Sequence, residues 1–339
     1  MSVTAQIDET APPPKPRIDM LPLAIIPVLA LVAIPLVGNL PGWINLTVAG
    51  LAMGMMIFIM ASGLTLVFGL MDVLNFGHGA FISVGAYVAA TVLVPMAGLT
   101  QSDSFLMNLV ALLPAIAAAM LISGGLGLAF ERVIVRPVYG QHLKQILVTM
   151  GGLVVAEQAI RAIWGPEQLN VPRPTSLRGA FLFGDVAIEK YRVFAVVVGG
   201  LVFFAMMLVL NRTKIGLLIR AGVENSEMVE SLGYRIRRLF IGVFAVGSAL
   251  AGLGGAMWGL YQETVTAATG AQMMVLIFIV IIIGGLGSVG GCFIGALLVG
   301  LVANYVGFLA PKLALGSNIL LMVIILLWRP RGLYPVANR

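Results

Sequence analysis

Charged residues are scarce in this chain. Asp, Glu, Lys and Arg make up 10% of its 339 residues, whereas hydrophobic residues make up 60% and the mean hydropathy is +1.05. Soluble domains carry about 25% charged residues and roughly 45–50% apolar ones. So few charges cannot cover a core with a hydrated surface. The composition therefore excludes a soluble domain and predicts an integral membrane protein.

Cysteine and histidine are also nearly absent. Cys292 is the single cysteine, which excludes a disulfide within the chain, and His78 and His142 are too far apart in sequence for a metal site of ordinary spacing. None of the five lysines follows a glycine, which excludes a Walker A loop. We therefore expect no enzyme activity, no metal and no cofactor.

Long uncharged stretches predict the fold class. No charge occurs in 20–71 or 264–311, and each stretch can hold two helices of about 20 residues. The pattern predicts an all-α polytopic bundle of eight to ten transmembrane helices. They are expected at 21–38, 45–68, 79–97, 105–130, 143–164, 193–210, 239–261, twice within 264–311, and at 313–328. The count stays open because 69–79 and 284–291 are short enough to enter the membrane without crossing it.

The distribution of bases predicts which side each end occupies. Fourteen of the twenty Lys and Arg residues fall in segments on the side of the N-terminus, five fall on the other side, and Arg161 lies in a span. Cytoplasmic loops carry the excess of bases, so both termini are expected in the cytoplasm. The net charge of +6 is then a cytoplasmic feature, and no nucleic-acid partner is implied.

The same layout divides the chain into segments. We predict a disordered cytoplasmic tail at 1–20, a membrane domain at 21–330 and a cytoplasmic tail at 331–339. The membrane domain includes an external loop at 165–192, where Gly184-Asp185 between apolar runs predicts a small hairpin. It also includes a charged cytoplasmic segment at 212–238.

A glycine-rich stretch at 284–291 matches the G-x-G-x-x-G dinucleotide fingerprint. The match is accidental, because a dinucleotide site needs a soluble βαβ unit and a following acid, and no acid occurs after Glu263. Gly287, Gly291 and Gly295 are spaced four apart, which instead predicts a flat face for packing against another helix.

Polar residues near the predicted spans are the candidates for a transport path. Asp72, Asn75 and His78 lie among glycines, which favours an interrupted helix whose backbone can bind a polar solute at membrane depth. The alternative is a cytoplasmic turn in which Asp72 or Asn75 caps the third helix. Glu157 and Arg161, four residues apart, either line a path or form a neutralised pair that anchors the fifth helix.

The charged segment at 212–238 has helical spacing. It predicts a short amphipathic helix that ends at Gly233 and contains Arg220, Ala221, Glu224, Glu227 and Glu230. Such a helix is either a docking surface for a soluble partner or a solvated loop helix.

Three blocks of this sequence resemble the branched-chain amino acid type of inner-membrane permease, a subunit of ATP-binding cassette importers. They are Ala61–Gly69 with Leu74–Phe81 and Gly85-Ala86-Tyr87; Arg220-Ala221 with Glu224, Leu232-Gly233 and Ala251-Gly252; and Gly284–Gly291 with Gly295-Ala296 and Arg329–Leu333. The resemblance covers about 45–335. Small residues often precede the Leu-Gly pair in such permeases, whereas this chain has Val229, Glu230 and Ser231.

The resemblance implies a transport subunit that works by alternating access in the inner membrane of a bacterium or archaeon. It implies two cytoplasmic ATPases, an external solute-binding protein and a homologous sister permease. The 220–233 helix becomes a coupling helix for an ATPase, and the Asn75–Gly79 block becomes part of the core near the path. Importers of urea or short amides use similar permeases. An ion-coupled secondary transporter and a scaffold without transport activity are the other classes considered.

Overall fold

The computed structural model describes residues 20–224 and 226–335, so most of the predicted N-terminal tail lies outside the described residues. The described part is mainly helical. Its helices are α1 (Leu21–Val37), α2 (Leu40–Met71), α3 (His78–Leu93), α4 (Ala97–Thr100), α5 (Phe105–Phe130), α6 (His142–Trp164), α7 (Lys190–Arg212), α8 (Lys214–Glu224), α9 (Ser226–Ser231), α10 (Ile236–Gln262), α11 (Thr269–Gly284), α12 (Val289–Leu309) and α13 (Ala314–Trp328).

Each predicted membrane segment corresponds to a helix, which confirms the helix-bundle fold class. Seven helices of the described chain are long and apolar enough to cross a membrane, and the apolar helices Leu21–Val37, Thr269–Gly284 and Gly316–Trp328 are shorter. The largest difference from the prediction is α2, which begins at Leu40. Asn39 caps it by accepting a hydrogen bond from the Gly42 amide at 2.6 Å, so the turn after α1 contains only Gly38 and Asn39.

The helices differ in how much of their surface is buried. α2, α3, α10 and α12 are largely buried within the chain, whereas α6 and α7 are mostly exposed. Packing in a membrane depends on close contact because lipid is as apolar as a helix surface. Glycines supply that contact: Gly85 of α3 meets Gly252 of α10, and Gly300 of α12 meets Gly50 of α2. The buried helices form the core, and the others surround it.

The contacts between helices separate the two ends of the bundle. The end of α2 lies beside the turn between α11 and α12, since Gly69 approaches Gly287. The C-terminal segment is at this same end, where the Leu333 amide donates to the Ile283 carbonyl at 2.9 Å. The positive-inside pattern predicts that this end faces the cytoplasm.

The opposite end carries two small antiparallel sheets. β2 (Ala180–Phe183) pairs with β3 (Val186–Glu189) across Gly184-Asp185, which confirms the predicted hairpin. β1 (Leu169–Asn170) pairs with β4 (Thr264–Val265), which joins the 165–189 loop to the chain after α10.

An ion-pair network fixes this loop. Arg173 is nearly buried, and its guanidinium lies 2.6 Å from a carboxylate oxygen of Glu189 and 3.3 Å from one of Glu263. It also donates to the backbone carbonyl of Leu260 and lies over the ring of Tyr191. A buried arginine with this many acceptors holds the loop against the ends of α7 and α10.

Candidate translocation core and coupling surface

The connection between α2 and α3 is a break inside the bundle. α2 ends at Asp72, whose backbone adopts the left-handed conformation with φ 52°. Nε2 of His78 then lies 2.9 Å from the carbonyl oxygen of Met60. Met60 lies within α2, about 16 Å before its end along the helix axis, because a helix rises ~1.5 Å per residue. The 73–77 segment therefore folds back along α2, and α3 begins at membrane depth.

Asn75 is the most unusual residue of this break. Its side chain is 0% exposed, and neither its amide nitrogen nor its amide oxygen has a hydrogen-bond partner in the described part of the chain. Buried amides are almost always hydrogen-bonded. Its neighbour Gly77 lies directly beneath the ring of Phe130, which occupies the position that a Cβ would take. Phe130 thus closes the space above the break.

The start of α11 meets the start of α3. Gly79 and Gly270 are in backbone contact, and the hydroxyl of Ser83 accepts from the Gly270 amide and donates to the Ala267 carbonyl, both at 2.9 Å. A Cβ at Gly79 would also approach Met274. Gly79 with Met274 and Ser83 with Gly270 define an antiparallel overlap. Two helices therefore start at the same depth and run to opposite sides.

α6 covers the break from the other side. The hydroxyl of Thr149 accepts from the Phe76 amide at 3.2 Å, and Nε2 of His142 lies 3.8 Å from a carboxylate oxygen of Asp72. α6 and Phe130 of α5 together therefore enclose the break.

The cytoplasmic end of α5 carries a buried carboxylate. Glu131 begins a π-helical turn, and Tyr139 donates to it at 2.6 Å. Burial raises the pKa of the Tyr139 phenol, and its hydrogen bond to Glu131 raises that pKa further. The phenol therefore remains a donor at neutral pH and fixes the turn that follows Phe130.

The predicted path residues occupy two places. Asp72, Asn75 and His78 lie together in the break, but Asp72 and Asn75 do not cap α3, because its N-cap is Gly77 without a side-chain hydrogen bond. Glu157 and Arg161 form the predicted pair at 3.7 Å. That pair is one turn before Trp164, whose indole donates to Thr91 at the far end of α3. It is therefore separated from the break by most of the length of α3.

The charged segment is helical on both sides of position 225, which lies outside the described residues, as α8 and α9. α9 ends at Ser231, and Gly233 follows as the predicted terminating glycine with φ 86°: the Gly233 amide donates to the Glu230 carbonyl and the Tyr234 amide donates to the Val229 carbonyl. This pair of bonds is a Schellman motif, which glycine favours at the left-handed position. The side chains of Glu224 and Glu227 lie outside those that the structure describes.

The candidate coupling segment touches the bundle just before the break. Gly222, which follows Arg220 and Ala221, lies against Leu70 in the last turn of α2 and against Ile236. On its outer surface Leu232 is 69% exposed and Tyr234 is 53% exposed. Exposed apolar residues among arginines suit a protein partner rather than water alone.

The helix packing predicted for the three spaced glycines is confirmed for two of them. Gly291 and Gly295 of α12 lie against α11, at Gly284 and Val280 respectively. Gly287 differs from the prediction because α12 begins only at Val289. It lies in the preceding turn with φ 81° and contacts α2 at Gly69.

Sequence reasoning missed two residues of the candidate site, Phe130 and Thr149. Phe130 gave no signal, because an aromatic residue among apolar neighbours has the same pattern whether it faces lipid or a buried break. The sequence signal at Thr149 is weak, since it is only a polar residue in an apolar stretch of α6. Their partners, Gly77 and Phe76, are more than fifty residues away in the chain, so only the fold brings them together.

An apolar bundle with an interrupted helix in its core and a charged helical segment at one end defines the class: a polytopic membrane protein. The family follows from comparison. The chain belongs to the family described as branched-chain amino acid transport system / permease component, whose model matches residues 46–328.

Named relatives agree with this family. The high-affinity branched-chain amino acid transport system permease protein BraD of Pseudomonas aeruginosa is 28% identical, over 84% of this chain and 94% of its own. LivH of Escherichia coli is 23% identical over 84% and 92%, and LivM of the same organism is 26% identical over 84% and 69%. Both are also named high-affinity branched-chain amino acid transport system permease proteins. No solved structure matches the chain.

Proposed function

We propose that this chain is the transmembrane permease subunit of an ATP-binding cassette importer for branched-chain or related amino acids. The family match across 46–328 carries the proposal. The chain forms part of the path and performs no catalysis, and ATP hydrolysis takes place on two cytoplasmic partner subunits. Relatives from Pseudomonas, Escherichia and Methanocaldococcus support a cytoplasmic (inner) membrane of a bacterium or archaeon.

The assembly contains a sister permease and an external solute-binding protein. Escherichia coli has relatives of this chain with two names, LivH and LivM, which supports a heterodimer of homologous permeases. The ordered loop held by Arg173 supports a docking surface for the binding protein at the outer end.

The coupling route follows from the contacts of Gly222. A force that the ATPase applies to α8 reaches Leu70, and two residues later α2 ends at Asp72, where the break begins. The path residues Asp72, Asn75 and His78 are thus next to the part of the chain that receives the movement. This short connection allows alternating access without a long chain of intermediates.

Reconstituted transport tests the proposal. The complete importer in proteoliposomes, supplied with its binding protein and L-leucine, is expected to accumulate leucine only with ATP. Leu232→Asp should abolish co-purification of the ATPase, because it places a charge in the apolar docking surface. Leu313→Asp, at a similarly exposed leucine of the opposite end, is the matched control and should leave that complex intact.

Other outcomes point to other functions. Uptake that survives removal of ATP but stops when a proton or sodium gradient is dissipated would identify a secondary transporter. A binding protein that binds urea or a short amide but not leucine would identify the related solute class. A fully assembled complex without uptake of any of these solutes would contradict a transport role.

A further inference from the structure

The unpartnered amide of Asn75 lies beside the first turn of a helix. A Cβ on Gly77, the N-cap of α3, would be 3.0 Å from the Asn75 side-chain oxygen. The oxygen of this amide therefore lies beside the start of α3. Its nitrogen and oxygen have no partner among the described residues, so the fold leaves both a donor and an acceptor at this point.

The start of α3 also has unused donors. The His78 amide donates to the Asn75 carbonyl and the Ala80 amide to the Gly77 carbonyl, but no hydrogen bond from the Gly79 amide occurs in the described part of the chain. No side chain caps this end. In α11, by contrast, Ser83 satisfies the Gly270 amide.

The helix starts at this point favour a negative charge. The N-terminal end of a helix carries a partial positive charge, and α3 and α11 both start here. Neither helix has an acidic residue in its first turn. Asp72, the nearest acid in sequence, is about half exposed and lies within 3.8 Å of His142 instead. Helix N-termini and amide N–H groups are the groups that bind anions at membrane depth in other proteins.

We propose that Asn75 and the first turn of α3 bind the carboxylate of the amino acid during its passage. This inference rests on the proposed transport function and adds the chemical group that the path recognises. The Asn75 amide nitrogen and the Gly79 amide donate to the carboxylate. Phe130 and Phe81, whose ring centroids are 5.4 Å apart, are placed to contact an aliphatic side chain. Phe130 covers Gly77 in this structure and moves aside when the solute enters.

Substitution of Asn75 tests the proposal in the complete importer. Asn75→Ala removes the donor and should lower ATP-driven L-leucine uptake about ten- to hundredfold, the effect of losing a hydrogen bond to a charged group. Asn75→Asp keeps the shape but places a carboxylate against the solute, so its uptake should be no higher than that of the alanine variant. Asn318→Ala is the matched control, because Asn318 is also buried with an unpartnered oxygen but lies on α13.

The binding protein loaded with leucine should still stimulate ATP hydrolysis in the Asn75 variants, since their coupling surface is unchanged. Wild-type uptake in Asn75→Ala would overturn the proposal. Wild-type uptake by the Asn75→Asp variant would also overturn the proposal. Aspartate keeps the shape of asparagine but lacks its amide donor, so such a result would show that only the shape of residue 75 matters. If the importer with Asn75→Ala fails to assemble, L-leucine uptake by the isosteric Asn75→Asp variant tests the proposal. Absence of ATP-driven uptake in the wild type would instead contradict the transport function.

Discussion

At the scale of single residues, glycine decides how closely the core helices approach. Gly291 of α12 is packed against the carbonyl of Gly284, at a distance that no real Cβ would tolerate. Gly307 lies on the same helix with open space where its Cβ would be. Substituting alanine at the two positions therefore distinguishes the effect of close helix packing from that of helix propensity.

We expect Gly291→Ala to destabilise the permease by about 1–3 kcal/mol, because α11 and α12 must separate to admit the methyl group. Gly307→Ala should leave stability unchanged or raise it by up to ~1 kcal/mol, since alanine is the better helix former. Thermal unfolding of the detergent-solubilised complex measures both. Equal effects at the two positions would show that the contact with Gly284 does not limit packing.

Single residues also show where sequence reasoning ends. Spacing alone predicted that Gly291 and Gly295 would pack, because their positions repeat with the helix. It placed Gly287 on the same face, since nothing in the sequence shows that α12 starts two residues later. The contact of His78 with Met60 could not be predicted, because it depends on a backbone that reverses direction after Asp72.

At the scale of elements, α8 connects the cytoplasmic surface to the break. Its contact with α2 depends on Gly222, where a Cβ would lie 3.3 Å from the Leu70 side chain and 3.4 Å from that of Ile236. The sequence predicted the amphipathic character of this segment and its end at Gly233. It did not show that α8 touches the last turn of α2.

Gly222→Leu should disturb transmission without removing the docking surface. We expect ATP hydrolysis to continue while leucine uptake per ATP falls several-fold, because the larger side chain displaces α8 from Leu70. Gly242→Leu, on α10 with open space around it, is the control. Parallel measurement of hydrolysis and uptake in proteoliposomes gives the ratio. A proportional loss of both would indicate failed docking and contradict the relay through α2.

At the scale of the whole molecule, the few charges predict which side of the membrane each end occupies. The apolar runs were sufficient to predict the helices, because each must satisfy its own backbone hydrogen bonds in lipid. The number of crossings was left open, since α1, α11 and α13 are short. We propose ten crossings, because α11 starts at the junction with α3 and ends beside the end of α2, and α13 leads the chain back to the same end.

Cysteine labelling tests this topology, because Cys292 is buried and can be replaced by alanine to give a background without cysteine. Single cysteines are then introduced at exposed positions and labelled in intact cells with a membrane-impermeant maleimide. Asp185→Cys and Lys312→Cys should react from outside, whereas Gln141→Cys, Leu286→Cys and Arg331→Cys should react only after permeabilisation. Reaction of Leu286 from outside would mean that α11 does not cross. Equal reaction of the cysteines at positions 312 and 331 would mean that α13 does not cross. Reversal of the whole labelling pattern would contradict the orientation that the bases predict.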